Sequence, residues 1–438
     1  RKEDDRYMRG RGEFVADIRL AGMKDVAFLR SPLAHARLHG INVPERLRDR
    51  VFTHDDMTGG RAIRAVTGLP GFKVSEQPPL ATGKVRHVGE LVAMCLGETR
   101  AEAEDVAAEI DVQFEELPVI VNMLQGQRSD SPLVHEDWGD NIYLESCFDG
   151  DLTEAKAAAV VTVTKEFRTN RQCMAPLEGK GAVAYWDSRL EQLVVYTATQ
   201  MPHIVRTGLA ECLGLDQAKV RVIAPDVGGG FGYKGILTPE EICLGWLAMH
   251  CGHPVRWIED CREHLTANAN CREHHYHVTA YADARGKILG LEAEASVDAG
   301  AYSAYPFSAC LEGAQVVSIL PGPYVIPAYH CKTYSVATNK APILPYRGVA
   351  RTGVCFVMEL IIDAIARAVE REPYEVRLEN LVPASAMPYT NITGRHICIR
   401  ANMTVQFGHK ALAKTHNFSI AFSARVKIRT SFTTTHRQ

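Results

Sequence analysis

Hydrophobic and polar residues follow two different periods along this chain, one typical of strands and the other of helices. Alternation over short stretches predicts strands at 12–18, 26–29, 92–96, 110–114, 160–168, 182–186, 193–197, 219–225, 254–258, 275–282 and 288–297. Apolar residues three or four positions apart predict helices at 99–109, 151–159, 201–213, 239–250, 356–371 and 373–381. Because the two kinds of element are mixed without strict alternation, the predicted fold class is α+β.

Shifts in composition divide the chain into four predicted regions. A compact α/β domain covers 1–122, a polar stretch favours a linker over 123–150, and a second α+β domain covers 151–393. Residues 394–438 form a divergent basic tail, in which 395–438 contain eight Lys or Arg and no Asp or Glu. A basic interaction tail, a disordered terminus and out-of-frame sequence are the alternatives. The last is favoured, because about five acids are expected in a stretch of this length.

Composition and charge exclude several classes of partner. The 438 residues are 46% hydrophobic and carry a formal net charge of -3, so the chain is globular and neither nucleic acid nor an anionic membrane is expected. No apolar run approaches the ~18 residues of a membrane span. Twelve cysteines are scattered without a CxxC pair, which predicts reduced thiols and a cytoplasmic protein. Arg1 in place of an initiator methionine favours a fragment.

The glycine-rich stretch 226–234 (DVGGGFGYK) is the strongest candidate for a ligand site. Four glycines in five positions remove side-chain bulk, so the backbone N–H groups can lie directly against a ligand. The next helix begins several residues later, at an N-cap Thr238 with Pro239 and Glu241 completing a capping box. This gap disfavours a dinucleotide-binding turn, in which the glycines lead straight into the helix. A tight turn without a ligand remains the structural alternative.

Three further motifs carry polar side chains suited to binding. Gln200 follows a strand and offers an uncharged donor and acceptor, although it could equally cap the next helix. Arg347 lies in a Pro/Gly turn and brings a fork of donors to an anion, or else a surface ion pair. The tetrapeptide Cys-Arg-Glu-His occurs at 261–264 and again at 271–274. Its spacing is poor for zinc, so a solvated charged edge with ordinary thiols is favoured and no metal ligand is assigned.

Taken together, these motifs resemble the molybdenum hydroxylases, the family of xanthine dehydrogenase, aldehyde oxidase and aerobic carbon monoxide dehydrogenase. The resemblance lies in Thr199-Gln200, in Gly228-Gly229-Gly230-Phe231-Gly232 and in Tyr346-Arg347-Gly348. Stretches 9–18, 30–37 and 87–90 resemble the family's N-terminal hammerhead domain, and 174–178 and 375–381 its first molybdopterin-binding domain. The resemblance extends over residues 1–393.

The resemblance implies a cofactor, a reaction and partners. The cofactor is molybdopterin-bound molybdenum, with the cytosine dinucleotide as one form, and the residues that would bind it are Gln200, Gly229, Gly230, Phe231, Gly232 and Arg347. The reaction is hydroxylation of an sp² carbon of an N-heterocycle or aldehyde with oxygen from water, and the cofactor carries the chemistry. A 2Fe-2S subunit and an FAD subunit are the implied partners, in a dimer of heterotrimers.

Two departures from the family pattern limit this interpretation. The late motif that carries the family's base glutamate does not occur, so no catalytic residue is assigned and the chain alone is expected to be inactive. Gly348 stands where copper-containing carbon monoxide dehydrogenases place a cysteine. A carbon monoxide dehydrogenase-like subunit and a non-catalytic fragment that binds partner subunits are the alternatives. Xanthine is not an expected substrate, because Gly235, Gly313 and Val349 occupy the positions of the purine-binding glutamate, arginine and phenylalanine.

Overall fold

A computed structural model describes residues 2–268 and 270–397 of the chain. Its α-helices are α1 (Asp4–Met8), α2 (Arg100–Ala108), α3 (Met123–Gly126), α4 (Thr153–Ala158), α5 (Pro202–Leu213), α6 (Pro239–Cys251), α7 (Cys261–Glu263), α8 (Leu311–Ile319), α9 (Arg351–Ala368) and α10 (Pro373–Asn380). Its strands are β1 (Lys24–Arg30), β2 (Ala36–Asn42), β3 (Val51–Phe52), β4 (Lys84–Val85), β5 (Leu91–Gly97), β6 (Asp111–Glu116), β7 (Ile142–Asp149), β8 (Val161–Thr169), β9 (Gln172–Cys173), β10 (Gly181–Asp187), β11 (Gln192–Thr197), β12 (Val220–Ile223), β13 (Val255–Ile258), β14 (Asn270–Cys271), β15 (His274–Ala282), β16 (Ile288–Asp298), β17 (Tyr329–Val336), β18 (Tyr389–Thr390) and β19 (His396–Ile397).

A seven-stranded sheet joins the two predicted domains. Its strand order is β12-β11-β10-β13-β1-β5-β3, with β1 parallel to β13. Helix α6 is buried on nearly all sides, and Ile242, Leu244 and Leu247 lie in the same core as Val195 and Met94. Apolar residues from both halves of the chain therefore share one core. Helices α5 and α6, which precede and follow the glycine-rich stretch in the chain, both pack in this core.

A five-stranded sheet forms the second core. Its order is β7-β17-β16-β15-β8, and α8, α9 and α10 contribute apolar side chains that pack with those of the sheet. The predicted linker over 123–150 is wrong at its C-terminal end, because β7 pairs with β17 along its length. Strand β7 begins with three consecutive apolar residues followed by Glu145 and Ser146, so it lacks the strict alternation that would have separated it from the polar stretch before it.

The predicted elements differ from the observed ones at several further places. The strand predicted at 12–18 is a 3-10 turn over Val15–Asp17, because Asp17 accepts a hydrogen bond from the Phe14 N–H and closes the chain on itself. Helix α8 was not predicted because it lacks a clear polar face, and strand β17 was not predicted because Thr333 and Ser335 interrupt the apolar residues of its buried side. Helix α9 begins at Arg351, five residues before the predicted start, and so extends back to the Arg347 turn.

The C-terminal prediction falls mostly outside the described residues. Of the predicted tail 394–438, the structure describes 394–397, where β19 pairs with β18 and Arg395 donates to the Ser318 hydroxyl. Residues 398–438, on which the out-of-frame interpretation rests, lie outside the described residues. No helix within 2–268 and 270–397 has both the length and the apolar character needed to cross a bilayer.

Candidate functional site

The glycine-rich stretch links β12 to a 3-10 turn over Tyr233–Gly235 and runs between two other segments at very close range. A Cβ atom on Gly232 would lie 2.1 Å from the Pro345 carbonyl oxygen, and one on Gly230 would lie 2.4 Å from the Gln200 Cδ. Gly232 also has φ of +105°, a conformation that L side chains rarely adopt. Glycine is therefore required at Gly232 by space and by backbone conformation, whereas a side chain at Gly230 would displace the Gln200 amide.

Two hydrogen bonds bring the three predicted motifs together. The Gly232 N–H donates to Gln200 Oε1 at 2.9 Å, and the Arg347 N–H donates to the Phe231 carbonyl oxygen at 2.9 Å. Phe231 itself is 41% exposed and has φ of +54°, which is uncommon for a residue with a side chain. Gln200, the glycine loop and Arg347 are thus neighbours although they are separated by up to 147 positions, the difference between 347 and 200.

The polar groups at this junction leave several donors free. Because Gln200 Oε1 faces the Gly232 N–H, the amide NH2 of Gln200 is directed elsewhere, and it has no hydrogen-bond partner among the described residues. The Arg347 guanidinium likewise has no partner within the described part of the chain, although its backbone is held on both sides. Uncharged and cationic donors beside bare backbone suit an oxygen-rich, anionic ligand.

A buried ion pair between Glu178 and Lys234 contacts the start of the glycine loop, and this pair was not predicted from the sequence. Glu178 Oε2 accepts from the Gly228 N–H at 2.6 Å and from Lys234 Nζ at 2.7 Å. Lys234 is fully buried, and burial lowers the pKa of its ammonium below the usual range. Glu178 Oε1 is buried without a partner in the described residues, so one carboxylate oxygen near the loop retains acceptor capacity. The sequence signals were a lysine that closes a glycine-rich stretch and the stretch 174–178, which was noted only for its family resemblance.

Two arginines hold the ends of the site, and both were missed. Arg6 binds the Asp226 carboxylate through two guanidinium nitrogens, and Tyr7 donates to the same carboxylate at 2.8 Å. Arg6 therefore holds the pKa of Asp226 well below its usual range. Arg272 lies 4.3 Å from the Tyr346 ring centroid and donates to the carbonyl oxygens of Tyr346 and Arg347. These contacts fix the start of the glycine loop and the Arg347 turn.

The two Cys-Arg-Glu-His tetrapeptides are not arranged as a metal site. His264 bonds the Glu259 carboxylate and the Met174 carbonyl oxygen, whereas His274 bonds Glu312 and the Tyr276 hydroxyl. Within residues 2–268 and 270–397, no group of three or more His, Cys, Asp or Glu side chains is placed to hold a metal ion. Each histidine instead serves a separate buried network.

Family comparison decides the class of protein. Residues 134–381, more than half of the chain, match the molybdopterin cofactor-binding domain, and residues 9–118 match the a/b hammerhead domain of aldehyde oxidase and xanthine dehydrogenase. The chain belongs to the molybdenum hydroxylase family. The predicted family and the predicted order of a hammerhead domain before a molybdopterin-binding domain are therefore confirmed, and the molybdenum hydroxylases are oxidoreductases.

Individual molybdenum hydroxylases are similar over most of this chain. The large subunit of nicotine 6-hydroxylase from Paenarthrobacter nicotinovorans is 33% identical over 90% of the chain and 49% of its own length. The carbon monoxide dehydrogenase large chain of Hydrogenophaga pseudoflava is 31% identical over 90% and 51%. The crystal structure of quinoline 2-oxidoreductase from Pseudomonas putida 86 superposes with a TM-score of 0.87, at 35% identity over 91% and 51%. The chain thus spans about half the length of these relatives.

Proposed function

We propose that this chain is the molybdopterin-binding part of a multi-subunit enzyme that hydroxylates an sp² carbon of an N-heterocycle or aldehyde with oxygen from water. One observation carries the proposal: the Gly232–Gln200 and Phe231–Arg347 hydrogen bonds join three separate motifs into one junction. Relatives named for nicotine and quinoline oxidation support the N-heterocycle class. Nicotine and quinoline each contain an aromatic ring with a nitrogen atom.

The residues at the junction fit an oxygen-rich anionic group such as molybdopterin-bound molybdenum. Gln200 offers its free amide NH2, Arg347 offers a guanidinium without a described partner, and the backbone between Gly229 and Gly232 carries no bulk except Phe231. In the proposed site these residues would hold and orient the cofactor. The bound cofactor supplies two-electron redox chemistry at the substrate carbon.

Each residue has a distinct part in this proposal. Gln200 would donate its amide N–H to an oxygen of the cofactor, while its own carbonyl oxygen fixes the position of Gly232. The Arg347 guanidinium would offset negative charge, and the Arg347 backbone is held by Phe231 on one side and Arg272 on the other. Phe231, being exposed, presents an aromatic face that can border an entering ring. No proton-transferring residue is assigned on this chain.

The wider assembly follows the family pattern. We propose molybdopterin, with the cytosine dinucleotide as one form, a 2Fe-2S subunit and an FAD subunit as electron carriers, and a cytoplasmic dimer of heterotrimers. The predicted domain limits of 1–122 and 151–393 are retained as approximate units, with β7 moved from the linker to the second unit. The names of relatives as large subunits or chains support a complex with partner subunits.

Metal and pterin analysis tests the proposal. The chain is expressed in a host that makes molybdopterin, together with candidate partner subunits, and its molybdenum and pterin are quantified per chain. Arg347→Gln is expected to reduce cofactor content about tenfold or more, because one charge-assisted contact is lost. Arg221→Gln is the matched control, since Arg221 is exposed on β12. Absence of molybdenum and pterin from every preparation would instead favour a non-catalytic, partner-binding chain.

Carbon monoxide oxidation is the second candidate function, and the 31% identity to a carbon monoxide dehydrogenase large chain favours keeping it. Gly348 directly after Arg347 argues against it, because a glycine cannot ligate copper. Copper analysis and carbon monoxide turnover separate the two functions. Xanthine is expected to be a poor substrate, with kcat/KM at least about a hundredfold below that for an N-heterocycle, since two charged anchors are missing at Gly235 and Gly313.

A further inference from the structure

Thr199 directly precedes Gln200 and is almost completely buried, whereas Gln200 is exposed. The Thr199 hydroxyl donates to the Lys234 carbonyl oxygen at 3.0 Å and accepts from the Met201 N–H at 3.1 Å. The backbone N–H of Gln200 donates to the same Lys234 oxygen at 2.8 Å. Both of these distances to Lys234 are those of ordinary hydrogen bonds. The backbone at Gln200 is therefore connected to the glycine loop directly and, one residue later, through the Thr199 hydroxyl.

The start of α5 does not use the Gln200 side chain. The helix begins at Pro202, which has no N–H group, and its N-cap residue Met201 makes no side-chain capping hydrogen bond. The acceptor for the Met201 N–H is the Thr199 hydroxyl, and serine or threonine commonly accepts from an N–H two residues later in this way. Of the two uses considered for Gln200, contact with a ligand and capping of the helix, the structure does not show the second.

Lys234, which accepts from both residues, is itself held at its far end. Its Nζ atom donates to Glu178 Oε2 at 2.7 Å, and the same carboxylate oxygen accepts from the Gly228 N–H at 2.6 Å. The Lys234 side chain is fully buried, so it cannot swing into solvent. The carbonyl oxygen that accepts from Thr199 and Gln200 thus belongs to a residue whose position the Glu178 ion pair fixes.

The Gln200 side chain follows its backbone closely. A Cβ atom on Gly230 would lie 2.4 Å from Gln200 Cδ, and the Gly232 N–H donates to Gln200 Oε1 at 2.9 Å. The NH2 group of the same planar amide has no hydrogen-bond partner among the described residues, so its direction is set by what holds Oε1. A backbone shift of about 1 Å at Gln200 would stretch the bond from Gly232 beyond hydrogen-bonding range.

We propose that Thr199 is a positioning residue for the contact that Gln200 makes with the cofactor. Its hydroxyl connects the start of α5 to the Lys234 carbonyl oxygen, which fixes the backbone at Gln200 and leaves the Gln200 amide NH2 free. Thr199 itself is buried and touches no ligand. The inference rests on the proposed function for the identity of the ligand, but the geometry on which it depends lies within this chain.

Amide hydrogen exchange of the full 438-residue chain without cofactor tests the positioning. The Gly232 amide is the reporter, because it donates to Gln200 Oε1. We expect Thr199→Val to raise its exchange rate about tenfold, toward the rate in Gln200→Ala, since a buried hydroxyl with two hydrogen bonds is lost. Thr199→Ala should behave like Thr199→Val, and Thr199→Ser should restore the rate to within about twofold because it keeps the hydroxyl.

Thr333→Val is the matched control. Thr333 is 1% exposed against 2% for Thr199, and its hydroxyl also donates to a backbone carbonyl oxygen, that of Gly313, at 3.1 Å. It should leave the Gly232 amide unchanged even if it lowers the overall stability. The inference is overturned if Thr199→Val and Thr199→Ala exchange like the unmodified chain, if Thr199→Ser is as fast as they are, or if Thr333→Val accelerates the Gly232 amide equally.

A double-mutant cycle on cofactor content tests the link to Gln200. Molybdenum per chain is measured after removal of free cofactor, for chains made in a host that synthesises molybdopterin. Thr199→Val and Gln200→Ala should each lower it about tenfold, and the double variant should be no lower than Gln200→Ala, because Thr199 acts through Gln200. Losses that multiply to about a hundredfold would overturn the inference. If the unmodified chain binds no molybdenum, the proposed function fails, whereas the exchange result still decides whether Thr199 positions Gln200.

Discussion

Replacing Gly232 by alanine should separate the glycine loop from the Arg347 turn. The added Cβ would lie 2.1 Å from the Pro345 carbonyl oxygen, whereas real Cβ contacts are essentially never closer than 3.0 Å. Both atoms belong to backbone or are fixed to it, so no side-chain rotation can relieve the contact. The two segments must move apart by about 1 Å, and a 2.9 Å hydrogen bond between Phe231 and Arg347 cannot survive that shift.

The expected cost has two parts. A residue with a side chain at φ of +105° carries roughly 1–3 kcal/mol of backbone strain. Loss of the Arg347 N–H to Phe231 hydrogen bond adds about 1 kcal/mol. The free energy of local opening at the Arg347 amide should therefore fall by about 2–4 kcal/mol, which corresponds to exchange about 30-fold to 1,000-fold faster.

Amide hydrogen exchange of the segment around Arg347 measures this opening directly. Gly235→Ala is the control, because its Cβ would meet Met201 Sδ at 3.6 Å and Phe307 at 3.8 Å, which are ordinary contacts, and Gly235 is not at positive φ. The control should exchange like the unmodified chain. Unchanged protection of the Arg347 amide in Gly232→Ala would show that the close approach does not hold the two segments together.

Three further predictions concern stability. Glu178→Gln leaves Lys234 buried without its counter-charge and should lower the free energy of unfolding by about 3–5 kcal/mol in urea, against at most about 1 kcal/mol for Glu191→Gln in an exposed pair. Burial lowers the pKa of His264, but its hydrogen bond to Glu259 raises that pKa to a value above the usual one. Its stabilisation should thus be complete below about pH 6.5 and lost as pH rises through the raised folded-state pKa, and His264→Gln should remove this pH dependence. EDTA should leave the melting temperature unchanged, and a fall would reveal a structural metal.

Sequence patterns indicated the candidate site because its motifs are local. The glycine loop, Gln200 and the Arg347 turn were each recognised from a few adjacent residues, and the capping box of Thr238 and Glu241 is present as predicted. Most strands between 160 and 297 were placed within a residue or two, since their alternation is undisturbed. In each of these cases, the residues that form the sequence pattern are the same few residues that form the structural element.

The supporting residues could not be predicted because their partners are remote in sequence. Asp226 meets Arg6 across 220 positions, and Lys234 meets Glu178 across 56. Arg272 was considered only as part of a zinc-like tetrapeptide, yet its role depends on the carbonyl oxygens of the Arg347 turn. An isolated charged residue gives no sign of whether it will be buried against such a partner. Strand β17 was missed for the same reason, since its pairing with β16 and β7 decides its state.

The glycines of the loop lie at the positions where neighbouring segments approach its backbone most closely. A Cβ on Gly228 would lie 2.5 Å from the Glu178 Cβ, one on Gly230 would strike Gln200, and one on Gly232 would strike the Pro345 carbonyl. Each glycine thus lies against a different neighbour, and those neighbours come from three separate segments. A side chain fits at Phe231 because this position faces outward between two of these neighbours and is 41% exposed. A pattern that looks like a flexible loop in sequence is therefore a rigid one in the fold, and its rigidity allows Gln200 and Arg347 to present their free donors at a fixed separation.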